Sequence, residues 1–177
     1  FQTFLRNEAR RLLAPEAYAA LMERTAQLLN TAGHHADAFA LHVEAADWPA
    51  ATALLLDQAP ELLRQGRWKT LQEWAQRIPG PRRAGNAFVD YWVARSRLLI
   101  DPGAARPLLE DVYQAFVDVG DETAQLLSGA AVLEALYYEF RDYKLMDGWI
   151  ERVARLLERG IALPTLEDDL RVHATLM

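Results

Sequence analysis

Five times along this chain of 177 residues the same short pattern opens a helix: a polar or turn residue, usually an aromatic, two variable positions, then a packing residue. Asp47-Trp48-Pro49-Ala50-Ala51 is the clearest copy. Arg67-Trp68-Lys69-Thr70-Leu71, Asp142-Tyr143-Lys144-Leu145-Met146, His34-His35-Ala36-Asp37-Ala38 and Asp101-Pro102-Gly103-Ala104-Ala105 are looser. Recurrent openings of this kind mark stacked helical hairpins, each covering the apolar flank of the next. The expected fold is therefore all-α: antiparallel helical hairpins stacked in a right-handed, tetratricopeptide-like superhelix. Such arrays present a curved face for contact and rarely carry out chemistry themselves.

Thirty Ala and 28 Leu against nine Val and four Ile favour helix, and no run alternates apolar with polar as a strand would. A net charge of −6 argues against this segment gripping a polyanion, because phosphate contacts need a basic footprint. With no Cys there are no disulfides or thiolate metal sites, which suits a reducing cytoplasm. No apolar run reaches the roughly 20 residues of a membrane span, and no signal-peptide pattern is present. The chain starts at Phe1 inside a helical pattern, which predicts a piece of something longer.

Spacing and punctuation predict ten helices. The first covers 1–13. Pro15 opens the second, which ends at Gly33; the third runs from His35 to about Ala46. Asp47 caps the fourth, which Pro60 is expected to kink or split before Gly66. A short fifth is closed by Pro79-Gly80-Pro81, and 79–85 is the strongest break, a sub-domain boundary or exposed corner. Four longer helices follow over 86–100, 102–119, 121–140 and 144–159. The last begins at Thr165, with Asp168 reaching back to the cap, and runs to Met177.

Chemical centres were sought and each has a plainer reading. His35 and His42 stand about 10 Å apart along a helix, too far to share one ion, and read as a turn plus a helix-face histidine. Ser96 and Ser128 lie outside any Gly-x-Ser-x-Gly turn. The pairs Asp121-Glu122 and Asp168-Asp169 open helices, where capping and the helix dipole account for them. Arg82-Arg83, with Arg77, Arg95 and Arg97, form a basic cluster that reads as a solvated corner. Trp48, Trp68 and Tyr143 hold equivalent repeat positions and are expected to wedge into the core, as are Trp74 and Trp149. No metal, cofactor or catalytic group is assigned.

Two mixed stripes differ from the rest. Tyr91 and Arg95 share a helix face beside Phe88 and Trp92, while Glu134, Tyr138 and Arg141 fall at spacings of four and three. Ionisable groups among aromatics in very apolar helices suit anchors for a polar ligand or peptide. Alternatively they form an ion-paired surface, Glu134 meeting Arg141 or a neighbouring repeat.

Ala38, Ala45, Asp47-Trp48, Ala51, Leu54-Leu55, Leu62-Leu63-x-x-Gly66, Leu71, Trp74 and Ile78-Pro79 stand in an order and spacing that resembles the helical-repeat region of MalT-like, LuxR-type ATP-dependent transcription regulators. Phe1 to Arg6 is similar to the last helix of the winged-helix piece that precedes those repeats. Family members commonly carry Gly immediately before the Asp-Trp pair, where this chain has Ala46. The resemblance covers about 1–79 and implies three parts: 1–13 from the winged-helix piece, a first repeat segment over 14–79 and a second over 86–177. It implies a non-catalytic sensing module that binds an inducer or partner protein, with ATP and DNA handled by other domains. No Gly-x-x-x-x-Gly-Lys loop and no DNA-reading helix is found here. The alternative expectation is a tetratricopeptide-like protein-binding scaffold with no link to transcription; an enzyme has no positive support.

Overall fold

Five of the helices start where a side chain satisfies an orphan amide of the first turn. In the computed structural model, which describes residue 8 and residues 11–80, 86–140 and 143–177, nine helices follow one another. They are α1 (Pro15–Thr31), α2 (His35–Glu44), α3 (Trp48–Arg64), α4 (Trp68–Arg77), α5 (Ala87–Leu98), α6 (Pro102–Val119), α7 (Glu122–Glu139), α8 (Lys144–Glu158) and α9 (Leu166–Ala174). No strand occurs among the described residues. The helix expected over 1–13 lies mostly outside them.

Asp47, Asn86, Asp101 and Asp121 each accept from the amide three residues on, capping α3, α5, α6 and α7. Thr165 caps α9 through the amide of Asp168 at 3.0 Å. The Asp168 carboxylate reaches back to the Thr165 hydroxyl (2.7 Å), not to the cap backbone as in a capping box. That helix closes at Ala174, short of Met177.

Pro60 does not split its helix: α3 runs unbroken from Trp48 to Arg64. Buried Leu54, Leu55, Ala59 and Leu62 pack the helix on both sides of the proline.

From α1 to α8 every helix packs on its successor, α9 returns onto α7, and α3, α5, α7 and α9 also pack on one another in turn. Tyr18 near the start of α1 bonds Glu44 at the end of α2 (3.3 Å), and Arg106 in α6 bonds Glu139 at the end of α7 (2.7 Å). Glu122 at the start of α7 pairs with Arg159 just past α8. Partners at opposite helix ends make these pairs antiparallel hairpins.

Central to the stack is α7, buried without a break from Ala124 to Leu133. Gly129 is part of the reason: a Cβ there would meet Val153 Cγ2 at 3.0 Å, so α8 lies unusually close. One apolar cluster joins α1–α4 to Val89, a second joins Tyr91 to Val172, and Trp92 on α5 packs against both. The predicted break between segments thus falls beside the helix that unites the two cores; its residues 81–85, Arg82 and Arg83 included, lie outside those described.

Trp74 and Trp149 are core, Trp74 stacked on Phe39 with ring centres 4.3 Å apart. The wedge expected of the other three aromatics is not realised. Trp48 and Trp68 are half-buried, and Tyr143 is 52 % exposed. His42, on a helix face, is buried, its Nδ1 3.6 Å from Asp47. Both serine hydroxyls are buried and bonded to the backbone of their own helix.

Candidate functional site

The alternate helices α3, α5, α7 and α9 wall a cleft of about 840 Å³. Leu56, Pro60 and Leu63 form its α3 wall, and Phe88, Trp92 and Leu98 much of its α5 wall. Apolar spacing puts these side chains inward; the polar groups come from the same faces one turn away. Arg64 on α3 and Glu167 on α9 face each other across the opening. The Arg64 guanidinium pKa is raised by Glu61 first and by Glu167 as a weaker contributor.

On the floor, Tyr91 is buried and its hydroxyl accepts from two guanidiniums: Arg95 of its own helix (3.2 Å) and Arg171 of α9 (3.1 Å). Glu134, the first residue past the buried run of α7, lies 3.4 Å from Arg171 and 3.7 Å from Arg95. Asp168 adds a contact to Arg171 at 3.3 Å. Arg95 Nε is buried without a hydrogen-bond partner among the described residues.

Burial sets the electrostatics. It pushes the Tyr91 phenol up to about 12, against the pull of Arg95, so the ring is neutral near pH 7. It also pushes the Glu134 carboxyl above its ordinary range, with the Arg95 charge pulling it back. A half-buried carboxylate held by long contacts is under-compensated, which favours an additional or closer cation.

Four of the five residues marked in the two sequence stripes meet here. Tyr91, Arg95, Glu134 and Tyr138 all line the cleft, while Arg141 lies outside the described residues. Glu134 pairs with neighbouring helices, Arg95 and Arg171. Sequence reading missed Arg171 and gave Asp168 only a capping role. Their spacing of three from Thr165 through Asp168 to Arg171 was the available signal, but nothing local says that α9 returns to α5.

Beyond the cleft, Tyr137, Phe140 and Tyr143 are exposed around the end of α7, and Phe140 adopts a left-handed φ of 49°. Among the described residues no helix is long and apolar enough to cross a membrane. No protein-family model, no curated protein and no solved structure matches the chain.

Proposed function

We propose that this chain is the non-catalytic sensing module of a MalT-like transcription regulator, working in the cytoplasm as a right-handed, tetratricopeptide-like superhelix. It registers an inducer or a partner protein in the cleft walled by α3, α5, α7 and α9. One observation carries this reading: side chains of four alternate helices, far apart in sequence, converge on a single cleft with apolar walls and a polar floor. The motif order over residues 1–79 supplies the family. Nucleotide and DNA binding then belong to domains outside this chain.

A ligand spanning four helices senses their relative placement. It shifts the module only by preferring one inter-helix arrangement over another. Thermal-shift screening of small molecules against the wild type and Trp92→Ala tests the cleft. A ligand at a hundredfold excess over its Kd stabilises by about 2.7 kcal/mol, and that shift must vanish in W92A. Ligands indifferent to W92A would move the site elsewhere. A parent gene with no upstream nucleotide-binding loop and no downstream helix-turn-helix would end the regulator assignment.

The exposed rings Tyr137, Phe140 and Tyr143 favour a second reading, a protein-binding scaffold unconnected with transcription. A stoichiometric protein partner, lost on Phe140→Ser and accompanied by no small-molecule response, would select it.

A further inference from the structure

Arg171 occupies the cleft floor as a ligand would. Its Nη1 points to Glu134 and its Nη2 to the Tyr91 hydroxyl, so two acceptors on α7 and α5 read two nitrogens of one planar fork. Among the described residues, Asp168 on its own helix completes the set. The helix that carries Arg171 is weakly anchored otherwise, with Val172 its single buried side chain. The α9 helix is thus held substantially by a guanidinium inserted into acceptors that belong to other helices.

The fit is loose. Guanidinium–carboxylate contacts settle near 2.7–2.9 Å, whereas Glu134 stands 3.4 Å from Arg171 and 3.7 Å from Arg95. Charge favours a cation in this place. The cleft carries five carboxylates (Asp57, Glu61, Glu134, Glu167, Asp168) against three guanidiniums (Arg64, Arg95, Arg171). With Arg171 withdrawn, two remain to oppose the same five. Beside the acceptors run Phe88, Trp92 and Leu127, apolar walls that suit the residues flanking a side chain on an extended peptide. An ammonium makes poorer use of two acceptors arranged for a fork.

We propose that Glu134 and Tyr91 form a guanidinium subsite for an arginine on an extended segment of a partner protein, and that Arg171 is its internal occupant. A partner's arginine and α9 therefore compete: engagement of one releases the other. This rests on the cleft being the ligand site and adds what the ligand presents there.

Calorimetric titration of the intact chain with Nα-acetyl-arginine amide tests the proposal. Arg171→Ala should bind this probe at least tenfold more tightly than the wild type, and the R171A/E134Q double variant should lose it. Nα-acetyl-citrulline amide, of similar shape without the charge, should not bind, and free arginine should bind more weakly than the capped form. Equal affinity in wild type and R171A, or equal binding of citrulline, overturns the subsite; preference for free arginine overturns the peptide source.

Should R171A not fold, Arg171→Met keeps the aliphatic stem and serves in its place. Hydrogen exchange of wild-type α9 gives an independent arm, because saturating probe must speed exchange over 166–174, and no change refutes the competition. If the capped arginine fails while other ligands still depend on Trp92, the guanidinium subsite falls and the cleft stands. Loss of that dependence as well removes both.

Discussion

Arg171 donates to the Tyr91 hydroxyl at 3.1 Å although 80 positions separate them in sequence. Through this contact α9 is tied to α5 across the cleft, and the same oxygen also receives Arg95 at 3.2 Å. One buried hydroxyl thus organises two cations that would otherwise repel.

Removing that acceptor has a definite cost. Tyr91→Phe keeps the ring and strands two guanidinium N–H groups in a poorly solvated place, a loss of about 1–3 kcal/mol. Tyr138→Phe, on the half-open rim, should stay within about 0.5 kcal/mol. Urea denaturation measures both, and hydrogen exchange over 166–174 should quicken only in Y91F. Equal destabilisation by the two changes would deny the hydroxyl this role.

Alkaline pH should find the same group. The folded-state pKa of Tyr91 is about 12 against an ordinary 10.0. The native state therefore keeps a proton that the unfolded chain releases between those values, and stability must fall as pH rises through that window. Two pH units correspond to about 3 kcal/mol. In Y91F this part of the slope should disappear. The late-titrating phenol assigned to Tyr91 should be present in the wild-type absorbance titration and missing from that of the variant. A wild type whose stability is flat from pH 10 to 12 would contradict this.

How much of this could be read from sequence divides by range of interaction. Caps at Asp47, Asp101 and Asp121 and the stop at Gly120 were legible because an i, i+3 bond or a left-handed turn is decided by neighbours. The face shared by Tyr91 and Arg95 followed from a spacing of four. Of the two outcomes expected at Pro60, the split does not occur, since local rules describe an isolated helix while Leu54, Leu55, Ala59 and Leu62 are buried on both sides of the proline. Tyr143 misled, its ring standing exposed at a repeat position expected to be core. The spacing from Thr165 through Asp168 put Arg171 on a face with its cap, but its partners on α5 and α7 are set by the return of α9, which no local pattern encodes.

The stacked pair Phe39 and Trp74, their ring planes nearly parallel at 3° and both buried, ties α2 to α4 and backs the first hairpins. Trp74→Ala should cost about 3–5 kcal/mol, the range for deleting a buried aromatic. Trp68→Ala, half-exposed at the edge, should cost clearly less. Thermal unfolding by circular dichroism ranks the two; the reverse order would show that the repeat-start ring, not the buried stack, holds this end.

Ala46 offers the opposite experiment, a gain. Its amide bonds Val43 O (3.1 Å) and the amide of Asp47 bonds His42 O (2.9 Å), the paired closure of a Schellman turn. The same two bonds close the turns at Gly33, Gly66 and Gly120, all at φ between 70° and 81°. Ala46 adopts φ 54° in the same role. A Cβ in that region costs about 1–2 kcal/mol, while glycine adds about 0.4–1 kcal/mol of unfolded-chain entropy. The strain is the larger quantity, so Ala46→Gly should stabilise by up to about 1 kcal/mol, and Gly66→Ala should destabilise by a similar amount. Urea midpoints at unchanged m-value decide it. If A46G lowers the midpoint, entropy outweighs strain at this turn, and the departure from glycine here is a stabilising choice instead of a tolerated one.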